Sequence, residues 1–128
     1  ILGVMGFWES YQHILAPAHG PGGWNDPDML VVGNNGLTAE QGRFQMTVWS
    51  VLSAPLYMSN DLRTISSEAK QVLMNREVIA IDQDTLGVSG EMVLFSKNFR
   101  WWKKPLHDGS IAVAVSLQSF KVLPSIIF

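Results

Sequence analysis

The chain of 128 residues lacks cysteine, so neither a disulfide nor a thiolate metal site can form within it. Charged residues are also scarce, at 16% of the sequence, and the formal net charge is −2. Since nucleic acids and anionic membranes attract proteins with an excess of lysine and arginine, this balance argues against both as partners. No apolar run approaches the roughly 20 residues that a transmembrane helix needs, so we predict no membrane span.

Several sequence signatures of catalysis and cofactor binding are missing as well. The motifs of nucleophile-elbow hydrolases, P-loop proteins and dinucleotide-binding proteins do not occur. The three histidines, His13, His19 and His107, are scattered without the spacing of metal ligands. We therefore predict no metal site. What the chain does contain is 47% hydrophobic residues, enough for the core of one ordinary domain.

The hydrophobic pattern up to Gly87 alternates between helical and strand-like segments. Thr38, followed three positions later by Gln41, forms a capping box that predicts the start of a helix. Such alternation is typical of an α/β fold, in which a parallel sheet carries helices on its outside. The predicted elements are helices over residues 1–16, 39–54, 67–73 and 77–80 and strands over residues 24–32 and 56–59.

Beyond Gly87 the pattern changes to short strands that suit an antiparallel sheet with small residues on one face. We place a domain boundary near this glycine, which divides the chain into residues 1–88 and an incomplete β domain over residues 89–128. Residues 101–104 pair two tryptophans with two lysines and are interpreted as a strand at the domain interface. The predicted strands cover residues 92–95, 99–103 and 110–117.

The most informative segment is residues 20–30, with the sequence GPGGWNDPDML. Its glycines and prolines impose an unusual backbone path, and apolar residues follow. Asp26 and Asp28 alternate, so an extended backbone would direct both carboxylates to one side. Carboxylates at the end of a buried strand commonly build the site of an α/β enzyme. Because Asp26 precedes Pro27, a turn or capping role is the favoured interpretation for it.

Three motifs together resemble one known family. They are GPGGWNDPDML at residues 20–30, APLYMSNDLR at residues 54–63 and AIDQDTLG at residues 80–87. In order and spacing they are similar to the lysosomal α-galactosidase and α-N-acetylgalactosaminidase family, glycoside hydrolase family 27. The resemblance implies a (β/α)8 barrel, also called a TIM barrel, followed by an antiparallel β domain. This chain would supply the last two strand–helix units of the barrel and the first strands of the β domain.

The resemblance also implies an activity and a site. Family members hydrolyse terminal α-linked galactose or N-acetylgalactosamine with retention, which requires one carboxylate as nucleophile and another as acid/base. In the family both lie on earlier barrel strands, N-terminal to Ile1, so the isolated chain is expected to be inactive. Asp28 and Met29 are expected to line the galactose pocket and bind substrate. A catalytic pair of Asp26 and Asp28 is disfavoured, since the mechanism needs two different pKa environments.

Other properties follow from the resemblance alone. It implies a lysosomal location, a homodimer, no cofactor, and substrates that are α-galactosyl or α-N-acetylgalactosaminyl ends of glycolipids and glycoproteins. A function of another class stays open, that of a non-catalytic binding or interaction fragment lacking the catalytic carboxylates.

Four more positions carry a structural interpretation. Trp24 is expected to belong to the core rather than to stack on a sugar ring. Asp61 is expected to pair with Arg63. Asp82 and Asp84 are interpreted as loop and cap residues.

Overall fold

The computed structural model of the protein describes residues 1–96, 99–117 and 126–127, and in this part of the chain helices come first and strands follow. The helices are α1 (Leu2–Leu15), α2 (Ala39–Val51), α3 (Ser67–Leu73) and α4 (Arg76–Asp82), and the strands are β1 (Glu91–Phe95), β2 (Phe99–Pro105), β3 (Ile111–Leu117) and β4 (Ile126–Ile127). Within the same ranges, none of the helices combines the length and the apolar character needed to cross a bilayer.

The predicted helices are confirmed. Their ends are set by residues that are close in sequence. α1 ends before Pro17, and α2 begins with the predicted capping box. In that box Thr38 Oγ1 accepts a hydrogen bond from the Gln41 N–H at 3.2 Å, and Gln41 Oε1 accepts one from the Thr38 N–H at 2.9 Å. The hydroxyl of Ser66 caps α3 in the same way, accepting a bond from the Ala69 N–H at 3.1 Å.

The hydrophobic core forms around α2, in which every residue from 44 to 51 is buried. The ring of Phe44 contacts that of Trp102 on β2, with 6.3 Å between the ring centroids, so the core is continuous from the helices to the sheet. A helix surrounded on all sides agrees with the apolar character that the sequence shows in this segment. The buried core residues are Met5, Trp8, Leu30, Phe44, Met46, Val48, Trp49, Val51, Leu52, Ala54, Val78, Trp102 and Ala114.

The sheet is antiparallel, with strand order β1-β2-β3-β4. Side chains of β2 alternate across it, so Trp102 and Lys104 are buried while Trp101 and Lys103 are exposed. The predicted antiparallel strands are therefore confirmed, with ends moved by one or two residues. The pairing of β4 with β3 was not predicted.

The predicted division into residues 1–88 and 89–128 stays a prediction. Three parts of the predicted β domain, residues 97–98, 118–125 and 128, lie outside the described residues. Within the described chain, the fold is a small α/β unit in which helices pack on one face of an antiparallel sheet.

The two predicted parallel strands, residues 24–32 and 56–59, are wrong in extent. In their place, the described part of the chain has one parallel bridge, between Leu30 and Met58. The Leu30 N–H donates to the Tyr57 carbonyl at 2.7 Å, and the Ser59 N–H donates to the Leu30 carbonyl at 2.9 Å. The ladder continues in neither direction.

Two features explain why the first of these strands is short. Pro27 has no N–H, and Asp28 has a φ of 79°, so the backbone before the bridge leaves the extended region. Tyr57 and Met58 were expected in a buried strand, but they are 62% and 52% exposed. The bridge therefore has an uncovered apolar side within the described part of the chain.

Polar side chains of α1 attach this helix to the edge of the sheet. Gln12 Nε2 donates to the Met92 carbonyl at 3.2 Å, and the Met92 N–H donates to Gln12 Oε1 at 2.8 Å. The amide thus occupies the place that a neighbouring strand would take beside β1. Arg100 forms an ion pair with Glu9 nearby, and both side chains are largely buried.

Lys104 occupies the boundary between helices and sheet, where it is fully buried. Its Nζ donates to Ser53 Oγ at 2.5 Å, to the Ile81 carbonyl, and to the Ser50 carbonyl at 3.4 Å. The hydroxyl of Ser53 in turn donates to the Val88 carbonyl at 3.1 Å. The ammonium group therefore lies at the carboxyl-terminal ends of α2 and α4, where helix dipoles favour a positive charge.

Asp82, the last residue of α4, lies beside this lysine and is 5% exposed. Burial raises the pKa of its carboxyl from 3.8 to about 6, against the smaller lowering effects of the Gln83 amide and the Lys104 charge. Its Oδ2 accepts a bond from Gln83 Nε2 at 2.5 Å, whereas Oδ1 has no partner among the described residues. The interpretation of Asp82 as a loop residue is wrong, because it ends a helix and is buried.

We expect the contribution of Asp82 to the free energy of unfolding to decrease as the pH rises from 3.8 to about 6. In this interval the folded protein keeps a proton that the unfolded chain has lost, so raising the pH favours unfolding. The contribution is full below pH 3.8, is lost above about 6 and amounts to at most about 3 kcal/mol.

Urea denaturation of the wild type and of Asp82→Asn at several pH values measures this contribution. The stability difference between the two proteins should change across the interval and be constant outside it. His19 contributes with the opposite sign in both proteins, because burial and then the charge of Lys104 lower its pKa. Identical pH profiles for the two proteins would contradict the prediction.

Candidate functional site

The candidate site residues lie in a tight turn rather than in an extended strand. The Asp28 N–H donates to Asp26 Oδ1 at 2.8 Å, and the Met29 N–H donates to Asp28 Oδ1 at 2.7 Å. The expectation that both carboxylates point to one side of an extended backbone is therefore wrong. The turn role predicted for Asp26 is confirmed, since its side chain accepts the N–H two positions on.

The polypeptide entering this turn is held by α1 and by His19. Asn25 Nδ2 donates to the Leu15 carbonyl at the end of α1 at 2.6 Å. The Asn25 N–H donates to His19 Nδ1 at 3.1 Å, which requires an unprotonated nitrogen at that position. Burial, together with the charge of Lys104, lowers the pKa of His19 and so favours this neutral ring.

Trp24, which precedes Asn25, was predicted in the core, but it is 49% exposed. Its ring and that of His19 lie nearly perpendicular, with 5.1 Å between the ring centroids, and the tight turn at Pro21 and Gly22 precedes it. The prediction is therefore wrong.

The polypeptide leaving the turn is held by two side chains of α2. Trp49 Nε1 donates to the Asp28 carbonyl at 2.7 Å, and Gln45 Nε2 donates to the Met29 carbonyl at 3.1 Å. Gln45 Oε1 also accepts a bond from the Val31 N–H at 2.9 Å. The turn is thus fixed from both ends and from the helix beneath it.

An open groove of about 450 Å³ runs between α1 and the turn. Asp26 and Asp28 line it, whereas Met29 is not among its lining residues and is 52% exposed. The structure therefore brings Asp28 to the groove and leaves Met29 beside it. The lining residues are Gly3, Val4, Phe7, Trp8, Leu15, Asn25, Asp26, Pro27 and Asp28.

The other polar motif near the bridge has a structural role. Asn60 Nδ2 donates to the Val32 carbonyl at 2.7 Å. The predicted pair of Asp61 and Arg63 is confirmed, with Nε to Oδ1 at 2.9 Å and Nη2 to Oδ2 at 2.8 Å, and it is exposed to solvent. These contacts fix the loop.

The three histidines do not form a cluster in the described part of the chain. His107 pairs with Asp84 at 2.6 Å, and this hydrogen bond raises the pKa of His107 and lowers that of Asp84. Asp84 also accepts the N–H of Leu86 in the turn that follows α4, so it stabilises a loop and caps no helix among the described residues. In the described ranges, no three histidine, aspartate or glutamate side chains lie close enough together to hold a metal ion.

The geometry of the turn leaves one oxygen of Asp28 able to accept hydrogen bonds from a ligand. Asp28 Oδ1 is occupied by the Met29 N–H, while Oδ2 accepts no hydrogen bond from the described residues. A carboxylate oriented in this way can accept bonds from hydroxyl groups, and the exposed thioether of Met29 offers an apolar surface next to it. A sugar ring carries both hydroxyl groups and an apolar C–H face, so it matches this pair of side chains.

Comparison with known proteins identifies the family. A family model described as Alpha galactosidase A matches residues 1–84. The chain belongs to this family. Human alpha-galactosidase A is 50% identical over 109 residues, which are 84% of this chain and 25% of the human protein. Alpha-N-acetylgalactosaminidase of Gallus gallus is 50% identical over 94 residues, which are 73% of this chain and 23% of that protein.

Solved structures agree with membership of the Alpha galactosidase A family. The crystal structure of alpha-galactosidase I from Mortierella vinacea superposes with a TM-score of 0.72 at 34% identity, over 75% of this chain and 24% of that one. An alpha-galactosidase from Saccharomyces cerevisiae has a TM-score of 0.80 at 23% identity and shares the fold. The chain spans about a quarter of the length of the relatives that it matches.

Sequence reasoning missed the residues that hold the turn in this family member. No role was assigned to Gln45 or Trp49 from the sequence, and His19 was considered only as a metal ligand. A signal was present, since Gln45 and Trp49 are four positions apart and therefore share one face of the helix. A glutamine on a face that is otherwise apolar indicates a buried hydrogen-bond partner.

Proposed function

We propose that this chain is part of a retaining α-glycosidase that removes terminal α-galactosyl or α-N-acetylgalactosaminyl residues from glycolipids and glycoproteins. Residues 1–88 would supply the last strand–helix units of a (β/α)8 barrel, and residues 89–128 the start of an antiparallel β domain. Membership of the Alpha galactosidase A family and the names of the relatives support this proposal. The parallel bridge at Leu30 is consistent with neighbouring barrel strands.

One observation carries the proposal for the site. One carboxylate oxygen of Asp28 accepts no hydrogen bond from the described residues, in a turn that local bonds and α2 hold in place, and Met29 lies beside it with its side chain half exposed. Asp28 would accept bonds from sugar hydroxyls, and Met29 would contact the apolar face of the ring. This pair would form one wall of a galactose pocket.

The chemistry itself would come from elsewhere. The nucleophile and the acid/base carboxylate are proposed to lie on earlier barrel strands, and no cofactor takes part in the reaction. The isolated chain is therefore expected not to turn over α-galactosides. By the same resemblance, the complete enzyme would be a lysosomal homodimer.

The proposed role of Asp28 and Met29 in sugar binding can be tested in a chimeric enzyme, the exchange enzyme. In human alpha-galactosidase A, the segment aligned over 109 residues is replaced by the corresponding segment of this chain. Hydrolysis of an aryl α-galactoside is expected, and Asp28→Ala should lower kcat/KM by about 100-fold or more, since charged hydrogen bonds to substrate are lost. A matched variant, Asp108→Ala in the exposed turn after β2, should leave kcat/KM within about twofold.

Two results would contradict the proposal. One is an exchange enzyme that folds but does not hydrolyse the substrate, and the other is an Asp28→Ala variant as active as Asp108→Ala. The second candidate function, a non-catalytic sugar-binding fragment, follows from the placement of Asp28 and Met29 within this chain alone. Titration of the 128-residue chain with galactose tests it, because saturable binding without turnover would favour the fragment.

A further inference from the structure

We propose that Gln45 and Trp49 are positioning residues that hold Asp28 and Met29 in the conformation that binds sugar. This inference rests on the proposed function. Both side chains donate to main-chain carbonyls of the two binding residues themselves, Trp49 Nε1 to Asp28 at 2.7 Å and Gln45 Nε2 to Met29 at 3.1 Å. Neither of them is expected to touch the substrate.

The burial of the two side chains makes these bonds obligatory. Gln45 is 2% exposed and Trp49 is 1% exposed, so water does not offer their donors an alternative partner. They lie one helical turn apart on α2, whose position is fixed by the core that surrounds it. The turn is therefore attached to a rigid element.

The turn needs such an attachment because of its backbone. Asp28 has a φ of 79°, a left-handed conformation that residues with a Cβ adopt rarely. Among the described residues, its own side chain accepts only the next N–H, at 2.7 Å, which belongs to the same planar peptide unit as the Asp28 carbonyl. The indole N–H of Trp49 bonds the carbonyl edge of this unit, so the peptide plane between Asp28 and Met29 is held by α2 as well as by the local bond.

Gln45 fixes the next step of the chain. Its amide oxygen accepts the Val31 N–H at 2.9 Å while its amide nitrogen bonds the Met29 carbonyl, so one side chain spans two peptide units. The carbonyl and N–H of Leu30, between them, are held by the bridge to residues 57–59. The direction of the Asp28 carboxylate then follows from a backbone held at four successive positions, 28 to 31.

Two near-isosteric substitutions remove the donors in the exchange enzyme. Trp49→Phe keeps an aromatic ring and loses the N–H, and Gln45→Glu keeps the acceptor for Val31 and loses the donor to Met29 when ionised. Each should raise KM for the aryl α-galactoside by about tenfold and leave kcat within about twofold. A purely structural defect would lower the amount of folded enzyme, and so apparent kcat, without raising KM.

Each variant has a matched control within the chain. Trp102→Phe removes an equally buried indole whose Nε1 has no hydrogen-bond partner in the described residues, so it reproduces the loss of volume. Gln41→Glu introduces the same charge one turn earlier on α2, at a capping-box position that accepts glutamate. Both controls should keep KM unchanged.

The pH dependence of Gln45→Glu gives a further readout. On acidification the introduced carboxyl gains a proton and again becomes a donor toward the Met29 carbonyl. The ratio of its KM to that of Gln41→Glu should therefore decrease as the pH is lowered. A constant ratio, with KM raised at every pH, would overturn the role assigned to the Gln45 donor.

The outcomes separate the inference from the proposed function. If the exchange enzyme is active and neither variant raises KM above its control, the inference is wrong and the proposed function stands. If the unaltered exchange enzyme folds without activity, the proposed function fails. In that case, NMR couplings that report the φ of Asp28 in the 128-residue chain test the positioning role of Gln45 and Trp49. A positive φ that is unchanged in Trp49→Phe and Gln45→Glu overturns this role. A positive φ that is lost in these two variants and kept in the controls Trp102→Phe and Gln41→Glu supports it.

Discussion

Lys104→Met is expected to lower the free energy of unfolding by about 3–5 kcal/mol. The methionine side chain fills most of the space of the lysine but donates no hydrogen bond, so the Ile81 carbonyl and the Ser53 hydroxyl oxygen lose their buried donor. The Ser50 carbonyl, 3.4 Å from Nζ, loses its contact as well. Unpaired buried acceptors each cost about 1–3 kcal/mol, which accounts for the size of the effect.

The charge of Lys104 adds to this loss. Its ammonium group lies at the carboxyl-terminal ends of two helices, and removing it leaves the partial negative charges of both uncompensated. Burial lowers the pKa of Lys104, while the carboxylates of Asp82 and Asp84 partly oppose that shift. The variant should therefore weaken the attachment of β2 to α2 and α4 more than a cavity alone would.

Lys103→Met is the matched control for this prediction. Lys103 is the preceding residue of the same strand, and its side chain points to the exposed face. Its substitution should change the free energy of unfolding by no more than about 0.5 kcal/mol. Urea denaturation followed by tryptophan fluorescence measures both variants, and a Lys104→Met protein as stable as Lys103→Met would refute the role assigned to the buried ammonium.

Lys104 also shows where sequence reasoning stops short. The alternation of side chains in a strand puts Trp102 and Lys104 on one face, so the sequence contains the information that this lysine lies beside a buried tryptophan. What surrounds its Nζ comes from residues 50–53 and 81–82, more than twenty positions away. Local patterns contain no record of such contacts.

The helices were predictable because their ends depend on neighbours in sequence. Thr38 and Gln41, three residues apart, form the capping box that the sequence predicts. Ser66 caps α3 through the Ala69 N–H, a contact that is equally local. The antiparallel strands were predictable for a similar reason, since β2 and β3 are joined by a short turn.

The residues of the candidate site could be predicted from the sequence, but their backbone conformation could not. The motif resemblance selected Asp28 and Met29, but the expectation of an extended strand there overlooked the left-handed backbone of Asp28. An aspartate can adopt that conformation through local hydrogen bonds, and here the bonds come from Asp26 and from its own side chain. The α2 contacts that stabilise it join residues 16 to 21 positions apart, beyond the reach of any local pattern.

Gly90→Ala is expected to lower the free energy of unfolding by about 3 kcal/mol. A Cβ at this position would lie 2.4 Å from Val51 Cγ1, 2.7 Å from the Val51 carbonyl oxygen and 3.0 Å from the Lys103 carbonyl oxygen. The Val51 oxygen has little freedom to move away, because it accepts the Gly90 N–H at 2.8 Å and belongs to the last residue of α2. Relief would require β1 to shift away from the helix.

Gly6→Ala provides the opposite case within the same protein. No atom of the described residues that would crowd a Cβ at Gly6, in the middle of α1, lies within 4 Å, so alanine should stabilise the protein by about 0.5–1 kcal/mol through its helix propensity. Thermal or urea unfolding of both variants should therefore give changes of opposite sign. A Gly90→Ala protein within about 1 kcal/mol of the wild type would mean that the sheet is not held against α2 as closely as Gly90 and Val51 require. The same result would count against the contacts of Lys104 with both helices, since they depend on the same close approach.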